Sequence, residues 1–77
     1  MKKQIKNFIV ETLMLGEGSI EDDQDLFASG AIDSLGFIKL LTFIEKNFNV
    51  HMDMTEVTMD KFGSVNDIEK TIKEKMS

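Results

Sequence analysis

The chain has 77 residues and a net charge of −5, with no cysteine, no proline and a single histidine. A single small domain spanning 1–77 with a modest core is expected, and the residue inventory excludes disulfides, thiolate metal sites and multi-histidine metal sites. The acidic balance argues against nucleic acid as a partner, and no apolar run is long enough for membrane insertion.

The chain opens "MKKQIKNFIV", basic and then apolar, in the manner of a signal peptide. Asn7 and Glu11 interrupt the apolar stretch and no small-residue cleavage site follows, so the expectation is a mature cytoplasmic N-terminus. Ile5, Phe8, Ile9, Thr12 and Leu13 recur at helical spacing and predict a first helix over about 2–14 with that face buried. Gly16 and Gly18 then stop it. Residues 15–33 hold six acids and no lysine, so much of the negative charge falls in one long connection. A connection of that length is functional or is pinned by its own apolar residues, here Ile20, Leu26, Phe27 and Ile32.

A second helix is predicted from Ser34 to Phe48. With Ser34 at zero and about 100° per residue, Phe37, Leu40, Leu41, Ile44 and Phe48 fall between roughly 240° and 340°, a coherent buried stripe. Lys39, Thr42, Glu45 and Lys46 mark the polar side. Leu35 and Ile38 land among them, and Phe43 also lies off the stripe. Stray surface apolar residues are common, yet two beside a helix start make an apolar spot suited to a partner; both readings stand at this point. Ser34 also has two readings. Serine at a helix start is most often a cap. If Asp33 is the cap, Ser34 sits in the first turn with its hydroxyl outward, where unpaired N–H groups and the helix dipole favour an attached phosphate.

A short third helix is expected near "MTEVTMD", residues 54–60, and a last one in "SVNDIEKTIKEKM", with Ser64 or Asn66 as cap and Val65, Ile68 and Ile72 inward. The fold class is therefore all-α, a small four-helix bundle of three main helices, one short third helix and a long first loop. Met52, Met54 and Met59 either fill the core or line an expandable pocket, core filling being the ordinary case. In "EDDQD" the sixth position counted from Asp23 is Ala28, where a calcium loop needs glycine, so that motif is rejected. His51 is placed in a loop near the third helix. Gly36 weakens its helix by about 1 kcal/mol against alanine; it either lets a partner approach closely or is tolerated.

"LFASGAIDSL", followed by a helix of core positions and "FIEKNFNV", resembles the carrier proteins of acyl and peptidyl transfer, with "FGSV" before the last helix as a weaker echo. The likeness extends over the whole chain in length, helix order, long loop and acidic balance. It implies a 4′-phosphopantetheine arm, taken from coenzyme A by a phosphopantetheinyl transferase and attached to Ser34. Asp33 matches the acid that accompanies the serine when that enzyme docks with its metal ion. Leu35 and Ile38 match the apolar contacts of partner enzymes, with Lys39 and Thr42 on the same docking face. The arm's thioester would supply the chemistry, so no catalytic residue is expected. None is visible, there being no cysteine nucleophile and no acid–base pair beside His51.

The chain also departs from the resemblance. Fatty-acid carriers are usually rich in acids along the second helix, whereas here Gly36 and Lys39 stand at such positions and Glu45 is the only acid of that helix. Lysines on a docking face repel a basic partner. The expectation is a free-standing, monomeric, specialised carrier in lipid or secondary-metabolite biosynthesis. An adenylate-forming ligase or acyltransferase would load it and a downstream synthase would unload it. The competing reading is an unmodified helical interaction domain in which Ser34 is only a cap.

Overall fold

The computed structural model describes residues 1–53, 55 and 57–76, and of Met59 only the backbone. Within these residues the chain is helical and forms no strand. The first helix, α1, is α-helical over Lys2–Phe8 and continues as a π-helix over Ile9–Leu13. It is followed by α2 (Ser34–Phe48), the short α3 (Met59–Phe62) and α4 (Val65–Met76).

The core joins the predicted stripes. Ile5 and Ile9 of the first helix, Leu40, Leu41 and Ile44 of α2, and Val65, Ile68 and Ile72 of α4 are buried together around Phe62. Burying one such side chain contributes about 1.5–3 kcal/mol, so Phe62 alone makes four-residue α3 a fixed part of the fold. Phe37 lies edge-on to both Phe27 and Phe62, with centroids 5.4 and 5.6 Å apart, and links the long loop to α3 through α2.

The long loop is pinned as its apolar residues predict: Ile20, Leu26 and Ile32 are buried and Phe27 is half-buried. Backbone bonds complete the attachment. The Leu26 N–H donates to the Gly63 carbonyl at 2.8 Å and the Asn66 N–H to the Asp22 carbonyl at 3.0 Å. Asp22 also forms ion pairs with Lys2 and Lys6 of α1.

Several expectations need correction. Thr12 is exposed rather than on the buried face. In the π segment the Met14 N–H reaches back five residues to the Ile9 carbonyl at 2.9 Å. Each residue of that wider register turns less than the roughly 100° of an α-helix, which leaves Thr12 off the core side. The third helix begins at Met59, later than 54–60 predicted. Asp53 accepts bonds from both the N–H and the hydroxyl of Thr55, each at 2.9 Å, and Thr58 is extended at φ −127°, so the chain turns before it coils. Phe43 is half-buried, stacked on Phe8 with centroids 4.3 Å apart and edge-on to Phe48 at 6.3 Å. Met52 is a buried core residue; Met54, the second methionine considered for a pocket, lies outside the described residues. For α4 the structure selects Ser64 as cap. Its Oγ accepts the Asp67 N–H at 3.2 Å, and its hydroxyl donates to Asp67 Oδ2 at 3.1 Å, a reciprocal arrangement.

Candidate functional site

The site is built at the start of α2. Just before it, Ile32 is buried and its N–H donates to the Leu26 carbonyl at 3.0 Å, which ties the approach to the loop. Gly30, at φ +81°, makes the turn that permits this. Asp33 is extended (φ −107°, ψ −175°); its Oδ1 accepts the Gly36 N–H at 2.7 Å and its carbonyl accepts the Phe37 N–H at 2.9 Å. Asp33 is therefore the cap. Ser34 is left in the first turn, exposed, with a hydroxyl that makes no hydrogen bond among the described residues.

A phosphate ester suits this position. The serine oxygen faces solvent at the positive end of a 15-residue helix, beside first-turn N–H groups with no intrahelical partner. Among the described residues no basic group is bonded to Ser34, so the fold presents the hydroxyl without activating it.

Leu35 and Ile38 are 71% and 57% exposed, and Lys39 and Thr42 are exposed as well, so the proposed docking residues do share the surface beside Ser34. The Thr42 hydroxyl donates to the Ile38 carbonyl at 3.2 Å and is already satisfied. Gly36 does not belong with them. It is buried, and a Cβ there would stand 3.1 Å from Asp33 Oδ1 and 3.6 Å from the Leu13 side chain. The close approach it permits is that of its own cap and of the first helix, not of a partner. His51 is exposed, with Nδ1 3.5 Å from Glu45 Oε2; that oxygen also accepts the Met52 N–H at 3.0 Å and holds the segment after α2.

Sequence reasoning missed Leu15. It is 83% exposed with a left-handed φ of +57°, two residues after the Leu13 that packs at Gly36. An apolar residue directly before Gly16, where a helix ends, was the available signal.

Comparison with known families decides the assignment. The family described as "Phosphopantetheine attachment site" matches residues 3–72. The chain belongs to this family of carrier proteins. The carrier's cofactor is a covalently attached 4′-phosphopantetheine, which supplies a terminal thiol for thioester chemistry. Carriers of this kind are not catalysts in themselves; they meet a phosphopantetheinyl transferase and a ligase or acyltransferase. The carrier is similar to the D-alanyl carrier protein of Streptococcus suis (strain 05ZYH33), 32% identical over 68 residues that cover 88% of this chain and 85% of the relative. It is similar also to those of Streptococcus sanguinis (strain SK36) and Streptococcus pyogenes serotype M5 (strain Manfredo). Each is 30% identical over 66 residues, covering 86% of this chain and 84% of the relative. No helix among the described residues is long and apolar enough to cross a membrane.

Proposed function

We propose that Ser34 is the attachment point and that the chain acts as a single, monomeric carrier domain in the cytoplasm, holding an acyl or aminoacyl group as a thioester. The observation that carries this reading is the solvent-facing Ser34 hydroxyl, one residue past the Asp33 cap and without a hydrogen bond among the described residues. In the attachment step Ser34 Oγ loses its proton and bonds to the β-phosphorus of coenzyme A, while adenosine 3′,5′-bisphosphate departs. Asp33, exposed beside it, would meet the transferase and its metal ion; Leu35, Ile38, Lys39 and Thr42 would meet partner enzymes. A bundle of three main helices and one short helix fits the reading, with Ser34 at the start of α2 behind the Asp33 cap.

D-alanine is the preferred cargo, supported by the names of the relatives at 30–32% identity. An adenylate-forming ligase would load it, and a downstream synthase would receive it. Lys39 and Lys46 on α2 favour such a specialised role over bulk fatty-acid synthesis, because they disfavour basic partners.

Intact mass after incubation with coenzyme A, magnesium and a broad-specificity phosphopantetheinyl transferase tests the attachment. One phosphopantetheine should be gained, and none by Ser34→Ala. No gain by a folded wild-type protein would return the chain to an unmodified interaction domain. The loaded form should then take up D-alanine from a D-alanine-activating ligase and ATP; preference for a fatty acyl group would overturn the cargo.

A further inference from the structure

The chain is acidic overall, yet one groove on its surface is bordered by lysines. The half-buried rings of Phe8 and Phe43, stacked across the first helix and α2, form with Ile38 the floor of an open groove of about 420 Å³. Thr12, turned outward in the π segment, closes the first-helix side, and Lys39 and Lys46 stand on the α2 side. Neither lysine pairs with a carboxylate among the described residues. Where the groove continues past Phe8 and Phe43, the first-helix rim carries Glu11.

The two lysines are seven residues apart on one helix, about 10 Å along its axis. An apolar floor between two helices accepts the side-chain ridge of a third helix, and a flat lipid surface does not fill a concave channel. An occupant with carboxylates two turns apart on one flank would cover the apolar area and pair both lysines.

We propose that this groove docks an acidic amphipathic helix of a partner protein. Its apolar ridge covers Phe8, Ile38 and Phe43, and its carboxylates pair with Lys39 and Lys46. The proposal rests on the carrier reading only in that a carrier must meet partner proteins; it requires no arm on Ser34.

Two helical peptides with the same leucine stripe test it, one with glutamates at two flank positions seven residues apart, the other with lysines there. Each is titrated into isotope-labelled protein, with and without the arm. The glutamate peptide should shift the amide resonances of Phe8, Thr12 and Phe43, and should bind roughly tenfold more weakly when salt rises from about 50 to 300 mM. Lys39→Glu with Lys46→Glu should transfer the preference to the lysine peptide, a gain that also shows the variant is folded. Equal binding of the two peptides, or binding of neither, overturns the proposal. So does a shift of these resonances by phosphatidylglycerol vesicles without any by the peptides. Arm attachment without peptide binding removes the groove alone; peptide binding to a protein that never accepts the arm removes the carrier reading alone.

Discussion

Asp33 Oδ1 accepts the Gly36 N–H at 2.7 Å, and a methyl group on Gly36 would stand only 3.1 Å from that same oxygen. The glycine that weakens α2 by composition is thus the residue that leaves room for its cap. Gly36→Ala should bring little net gain, because about 1 kcal/mol of helix propensity is offset by a crowded cap. In an Asp33→Ala background the same substitution should stabilise by about 1 kcal/mol. Urea denaturation of the four proteins in the cycle measures the difference, and purely additive effects would show that cap and glycine are not coupled.

The cap assignment also separates the two readings of Ser34. Since its hydroxyl bonds nothing among the described residues, Ser34→Ala should change stability by less than about 0.5 kcal/mol. Asp33→Ala should cost about 1 kcal/mol. The reverse order in thermal melts would make Ser34 the cap after all.

Leu15 holds a left-handed φ of +57° and is 83% exposed, so its side chain loses little when removed. Leu15→Gly should therefore stabilise the chain by about 1 kcal/mol through relief of that conformation. Loss of stability on denaturation would mean that Leu15 packs more than its exposure implies.

Thr71 is buried, and its hydroxyl lies 3.0 Å from the Lys61 carbonyl and 2.9 Å from the Asp67 carbonyl, sharing its one proton between them. Thr71→Val keeps the shape but leaves the Lys61 carbonyl without that donor, at a cost of about 1–2 kcal/mol. Thr71→Ser should retain the bond and lose mainly the packing of a methyl group. A valine variant as stable as wild type would show the α3–α4 tie to be dispensable.

The Asp22 carboxyl is held below the usual carboxylate range by its bond to the Lys6 ammonium, with the charges of Lys6 and Lys2 adding to it against some desolvation. A folded-state value below the unfolded one gives stability that is present above the unfolded pKa, about 3.9, and lost as pH falls through the folded one. Lys6→Met should therefore lower the melting temperature at neutral pH, and its gap to wild type should close as pH falls through the folded-state value and the carboxyl is protonated in both states. A gap that persists in acid would assign the loss to the lysine's packing instead.

The periodic faces of α2 and α4 were legible residue by residue. Leu40, Leu41 and Ile44, and likewise Val65, Ile68 and Ile72, are buried as their spacing predicts, because helical rise and turn are set within a few residues. Ser34 with Leu35 and Ile38 on the wet side followed from the same geometry, and the matching family could be read from the segment around them. Thr12 was misplaced, and the contacts of Phe43 and Gly36 were not foreseen, for one reason. A helical wheel does not contain the neighbouring element, so it cannot place Phe8 across from Phe43 or Leu13 against Gly36, nor foresee the π register that turns Thr12 outward. The short helix at Met59–Phe62 and the groove beside Lys39 and Lys46 belong to the same class. Local sequence determined which residues seek burial and where Ser34 stands on its helix. Tertiary packing decided which surfaces those residues actually cover, since contact between distant segments is a property of the folded chain alone.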